Sequence, residues 1–102
     1  MRVLRWERDY PLTVNEAKFE LQAEGMTPYR FDFQAGLHYP PHAHAHTEIL
    51  IIITGAMTTG EAGMEGVLLR PGDRVEIPPR MEHWMRVVGE EDVVSVRAEK
   101  EG

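Results

Sequence analysis

The stretch His42-Ala43-His44-Ala45-His46-Thr47-Glu48-Ile49-Leu50-Ile51-Ile52-Ile53-Thr54-Gly55 decides how the chain folds. From Glu48 to Thr54 it is β-branched and apolar at both odd and even positions, the composition of a strand buried on both faces. One face is expected to fill the interior of a β-structure. The other needs a cover from a second sheet, the N-terminal segment or another subunit, and it is the motive for expecting a homodimer. Gly55 ends the run. Further breaks fall at Tyr10-Pro11, Gly25 to Pro28, Pro40-Pro41, Gly60 to Gly66, Pro71-Gly72-Asp73, Pro78-Pro79 and Gly89 to Asp92. Between them lie the short segments Tyr29 to Phe33, Val67 to Leu69, Arg74 to Ile77, His83 to Val88 and Val93 to Arg97. Tyr29, Phe31 and Phe33 alternate with Arg30 and Asp32, the period of a half-buried strand. Short strands at this spacing predict an all-β sandwich or barrel with little or no helix. Val14 to Gly25 is the one stretch that fits a helix, but Phe19-Glu20-Leu21-Gln22-Ala23 also fits a strand, which is the reading adopted. Ala98 to Gly102 is expected to fray.

At 102 residues the chain makes a single domain, 1–102, with 1–28 as N-terminal strands or arm and 29–97 as the core. The longest apolar run, Ile49 to Ile53, falls far short of the roughly 20 residues that span a bilayer. Charges in Arg2, Arg5, Glu7, Arg8 and Asp9 occupy the place of a leader's apolar stretch, so a cytoplasmic protein without a membrane role is expected. A net charge of −6 with no Lys/Arg cluster argues against nucleic acid as a partner. The absence of Cys leaves His and carboxylates as the metal donors available. Nine Arg against two Lys, with one Asn and two Gln, matches the composition of thermophilic proteins.

Four of the five histidines, His38, His42, His44 and His46, fall within nine residues, followed by Glu48, with His83 alone downstream. Such a cluster is a metal-site candidate, because neutral imidazole is the commonest protein ligand. His42 and His44 are two apart, so on one strand both would face the same way with Cα atoms roughly 7 Å apart. A turn through Ala45-His46-Thr47 would then set Glu48 on the neighbouring strand, about 5 Å to the side. A third imidazole must come from elsewhere, and His83, opening a strand after Pro78-Pro79-Arg80, is the natural source. No nucleophile constellation, phosphate-cradling Gly-rich loop or glycosidase-type carboxylate pair is present.

These residues carry a family resemblance. Gly36-x5-His42-x-His44-x3-Glu48-x6-Gly55 is similar at every defined position to the first signature motif of the cupin superfamily. Gly72-x5-Pro78-x-Arg80-x2-His83-x3-Val87 approaches the second, with Arg80 where the family has Gly and Val87 where it has Asn. The resemblance covers Tyr29 to Arg97. It implies a small antiparallel jelly-roll β-barrel with one divalent transition metal, Fe, Mn, Zn, Ni, Co or Cu, on His42, His44, Glu48 and His83. Three His and one Glu would leave two positions of a six-coordinate ion for water, substrate or O₂.

Parity with those ligands nominates the surroundings. Leu50 and Ile52 share the face of Glu48, and Met85 and Val87 that of His83, with Phe31, Phe33 and Met57 nearby. His46 and Arg80 are rim candidates, as are Glu82 and Arg30, while Tyr39 is expected to pack near the mouth. The expected function is a metal-dependent enzyme, of dioxygenase or isomerase type, acting on a small metal-chelating molecule. The alternative is a metal or small-ligand binding or sensing module without turnover, and no residue is assigned a catalytic role.

Overall fold

The computed structural model describes residues 1–101. The elements run β1 (Arg2–Leu4), α1 (Val14–Ala23), β2 (Tyr29–Phe33), β3 (His38–His42), β4 (Thr47–Thr54), β5 (Ala56–Glu61), β6 (Val67–Leu69), β7 (Arg74–Ile77), β8 (His83–Val88) and β9 (Val93–Lys100). A five-stranded sheet, β1-β7-β4-β9-β2, faces a four-stranded sheet, β3-β8-β5-β6, and every pairing is antiparallel. This is the expected jelly roll, with two separate hydrogen-bonded sheets rather than a closed ladder.

Strand β4 explains the layering. Leu50 and Ile52 point between the sheets and pack with Phe33, Met57, Leu69, Val75, Ile77, Met85, Val87 and Val93. Ile49, Ile51 and Ile53 point the other way and pack with Leu12, Ala17, Leu21 and Met26. The N-terminal segment is therefore the cover that the outer face requires. That removes the bare apolar face on which the expectation of a homodimer rested.

Val14 to Ala23 is a helix, not the expected strand. Thr13 caps it: its side chain accepts from the Glu16 backbone N–H while the Glu16 carboxylate accepts from the Thr13 N–H, a reciprocal capping box. Ala17 and Leu21, four apart, form the fully buried stripe. Arg74 on β7 ties down the far end with two hydrogen bonds to Glu24, at 2.6 and 2.8 Å. Those bonds, helped by the Arg74 and Lys100 charges, hold the Glu24 carboxyl below its ordinary value against the opposing effect of burial.

Three further expectations change. The chain beyond Arg97 does not fray at once: β9 continues to Lys100, pairing Ala98 with Ile49 and Lys100 with Thr47, while Gly102 lies outside the described residues. The Pro40-Pro41 break lies inside β3, an edge strand whose register shifts between Tyr39 and His42, which is where a sheet tolerates prolines. The acidic break Gly89 to Asp92, whose composition suits a hairpin turn between neighbouring strands, instead crosses between layers, since β8 and β9 belong to different sheets.

Candidate metal centre

The site lies where the two sheets open. His42 ends β3 and stands directly across the ladder from His83, the first residue of β8, with ring centroids 4.4 Å apart. His44 sits in the crossing from β3 to β4, its ring 5.0 Å from that of His42 and 5.5 Å from that of His83. One nitrogen from each of these three rings lies within 4.8 Å of the others. Glu48 enters from β4 on the opposing sheet, with Oε2 at 3.2 Å from His44 Nε2 and 3.5 Å from His83 Nε2.

The four residues predicted from sequence thus converge, but by another route. His42 and His44 do not share a strand, and Glu48 is not on the strand beside His42. The connection crosses from one sheet to the other, so the carboxylate approaches the imidazoles from across the interior. The Arg80 backbone N–H donates to the His44 carbonyl at 2.7 Å and pins this crossing. Arg80 does so at φ 63°, the left-handed region that favours the glycine of the family motif. Its side chain is exposed and not among the cavity walls.

Hydrogen bonds fix which nitrogen each ring presents. His42 Nδ1 lies 2.9 Å from the Pro40 carbonyl and His83 Nδ1 lies 2.9 Å from the Met81 carbonyl. A carbonyl only accepts, so each Nδ1 must donate, and the neutral ring keeps its lone pair on Nε2. This is the outer-shell pattern that orients metal-binding histidines. Four buried atoms here lack a hydrogen-bond partner: His44 Nε2, His83 Nε2 and Glu48 Oε2, which face one another, and Arg97 Nε beside them. With its proton on Nδ1, His83 turns the Nε2 lone pair toward Glu48 Oε2 at 3.5 Å, and the two repel unless a proton or a metal cation stands between them. The donor set therefore fits a divalent ion.

Charge tells the same story. Burial favours the neutral form of Glu48, but the approach of His83 and the charges of Arg97, His44 and His83 outweigh it and hold the carboxyl below its ordinary value. Burial likewise favours neutral His83, but Glu48 and the Met81 carbonyl outweigh it and raise the ring above its ordinary value. A proton is drawn into the space that an ion would occupy.

A cavity of about 420 Å³ opens onto this cluster, walled by Phe33, Tyr39, Pro40, Met85 and Arg97 together with His42, His44 and Glu48. Phe33 and Met85 are among these walls, and Tyr39 packs its ring edge-on to Phe33 and His42. Leu50, Ile52 and Met57 belong to the core and are not among the walls. His46 is turned away, lining a larger polar groove of about 690 Å³ with Glu24, Tyr29 and Glu99. Arg30 is engaged with Asp32 at 2.9 Å. Sequence reasoning passed over Arg97, although its position on β9 places a cation at the same parity as inward-facing Val93.

The cupin-domain family matches residues 29–96. The chain belongs to the cupin family. No curated protein matches this cupin in sequence. Among solved structures it is similar to a cupin-like protein from Thermotoga maritima MSB8, at 27% identity and TM-score 0.66, covering 89% of this chain and 65% of that one. It is similar also to the DMSP lyase DddQ from Ruegeria pomeroyi DSS-3, at 28% identity and TM-score 0.65, covering 74% and 38%. An oxalate oxidase aligns at 27% identity and TM-score 0.64, covering 76% and 43%. This cupin therefore spans about two fifths of the length of the two enzymes. No helix among the described residues is long and apolar enough to cross a membrane.

Proposed function

We propose that this cupin holds one divalent transition metal between His42, His44, His83 and Glu48 Oε2, and through it acts on a small metal-chelating molecule as an enzyme of dioxygenase or isomerase type. The observation that carries the reading is the set of buried, unpartnered atoms on His44, His83 and Glu48 facing one another beneath an otherwise apolar cavity. Three imidazoles and a carboxylate suit Fe, Mn, Co, Ni, Cu or Zn. When bound, such an ion supplies Lewis-acid polarisation of a coordinated oxygen or, if redox-active, O₂ chemistry. The chain's own residues hold and seclude. The Pro40 and Met81 carbonyls fix the His42 and His83 rings, Arg97 holds the outer oxygen of Glu48, and Phe33, Tyr39 and Met85 shield the site from water. The likeness to an oxalate oxidase and a DMSP lyase supports a small-molecule ligand.

One observation favours the second reading, a binding or sensing module. Among the described residues Glu48 is the sole carboxylate in the cavity wall and Arg97 already engages it, so no second carboxylate is placed there to serve as a general base. Elemental analysis of protein purified without a metal-affinity tag, followed by O₂ uptake and chromatographic analysis of products with candidate chelators, separates the two. About one metal per chain with turnover supports the enzyme. One metal per chain with binding and no turnover supports the module, and no metal uptake overturns both.

A further inference from the structure

The two oxygens of the Glu48 carboxylate have different fates. Oε2 faces His44 and His83 without a hydrogen-bond partner, whereas Oε1 receives Arg97 Nη2 at 2.5 Å. Register makes this pairing specific. Glu48 stands opposite Glu99 and Leu50 opposite Arg97, so Arg97 is the diagonal neighbour of Glu48 on β9, on the same face. Diagonal partners lie roughly 7–8 Å apart, a gap that a long side chain closes. Arg97 is itself held, because its guanidinium lies 4.9 Å from the Phe31 ring centroid and only 17% of its side chain is exposed.

We propose that Arg97 is the positioning residue of the metal centre: by occupying Glu48 Oε1 it fixes the orientation of the carboxylate and presents Oε2 alone to the ion. This rests on the metal-site reading above. A carboxylate without that partner is free to rotate and turn both oxygens inward. A single-oxygen ligand keeps a coordination position free for a chelating molecule. The rival account is that Arg97–Glu48 merely ties β9 to β4.

The test is Co(II) titration of the full-length apo protein, read by calorimetry and by the visible absorption of the bound ion, in wild type, Arg97→Gln and Arg97→Lys. Loss of an outer-shell partner weakens metal affinity by about 10- to 100-fold. That weakening is expected in Arg97→Gln, together with an altered Co(II) band. Arg97→Lys, which keeps the charge but not the fork, is expected to recover part of both. Adding Glu48→Gln to Arg97→Gln is expected to cost less than Glu48→Gln costs alone, since both act through one carboxylate. Unchanged affinity and an unchanged band in a folded Arg97→Gln overturn the proposal and leave the metal site standing. If Arg97→Gln does not fold, the same comparison with Arg97→Lys decides. A wild-type protein that takes up no Co(II) overturns the metal site itself, and the proposal with it.

Discussion

Asp73→Asn removes one charge from the turn that launches β7, the strand beside Glu48's own. The wild-type carboxylate is nearly buried, with 5% of its side chain exposed, and meets three donors. Oδ1 accepts from the Trp6 N–H at 2.9 Å, and Oδ2 accepts from the Arg70 N–H at 2.9 Å and from Arg5 Nη1 at 2.7 Å. Gly72 beside it has φ 90°, and a Cβ there would run into the Trp6 ring, so the N-terminal arm is packed tightly onto this turn. An asparagine offers one oxygen and one NH₂, and either orientation points the NH₂ at a donor. Hydrogen bonds to a charged group are worth about 1.5–3 kcal/mol each. Arg5 is half-exposed, so its pairing adds at most about 1 kcal/mol. One lost backbone bond plus a weakened second gives a destabilisation of about 2–4 kcal/mol. For a domain of this size that lowers Tm by roughly 10–30 °C.

The pH dependence of the same variant provides an internal control. Burial alone would raise the Asp73 carboxyl, but the Arg70 and Trp6 N–H groups and Arg5 outweigh it and hold it below the ordinary 3.8. A lowered folded value means that the stabilisation is complete above 3.8 and disappears as pH falls through the folded value. Urea unfolding of the chelator-treated protein, wild type against Asp73→Asn, is expected to show a constant gap between pH 5 and 7 that shrinks toward pH 2. A gap under about 1 kcal/mol at pH 7, or one that stays the same at pH 2, refutes the reasoning.

Other outcomes follow from the site. Arg80→Gly removes a left-handed non-glycine residue, whose strain is about 1–2 kcal/mol, at an entropic cost of about 0.4–1 kcal/mol. Chemical denaturation should show equal or slightly higher stability, with metal affinity unchanged because the bond to the His44 carbonyl is from the backbone. His42→Ala should weaken metal binding by more than the roughly 100-fold upper range of an outer-shell change, while the far-ultraviolet circular dichroism keeps its β-sheet form. In the apo protein the raised His83 value stabilises the fold below 6.5 and this is lost as pH rises above it; the lowered Glu48 value stabilises above 4.5 and this is lost on acidification. Apo stability from this pair should therefore peak between these limits, and Zn(II) should stabilise increasingly as pH rises above 6.5, both read by thermal unfolding.

Much of this architecture was legible in the sequence because period-2 alternation and Gly/Pro punctuation are local signals. Tyr29–Phe33, Val67–Leu69, Arg74–Ile77 and His83–Val88 coincide with observed strands for that reason. The helix was obscured because Phe19-Glu20-Leu21-Gln22-Ala23 alternates as a strand does, while the capping box of Thr13 and Glu16 was not weighed. The four histidine and glutamate positions were nominated together, yet their geometry depends on which sheet each strand joins, a long-range property that spacing does not encode. Arg97 escaped notice because its partner lies 49 residues away in sequence (97 − 48) and meets it only through the β4–β9 register.

The most direct measurement is an anomalous difference map from crystals of the Zn(II)-loaded protein. One peak within about 2.0–2.1 Å of Nε2 on His42 and His83 and of a ring nitrogen on His44, with Glu48 Oε2 at about 2.0–2.2 Å, is the result predicted here. A peak in the groove beside His46 and Glu99, or none at the triad, would contradict it.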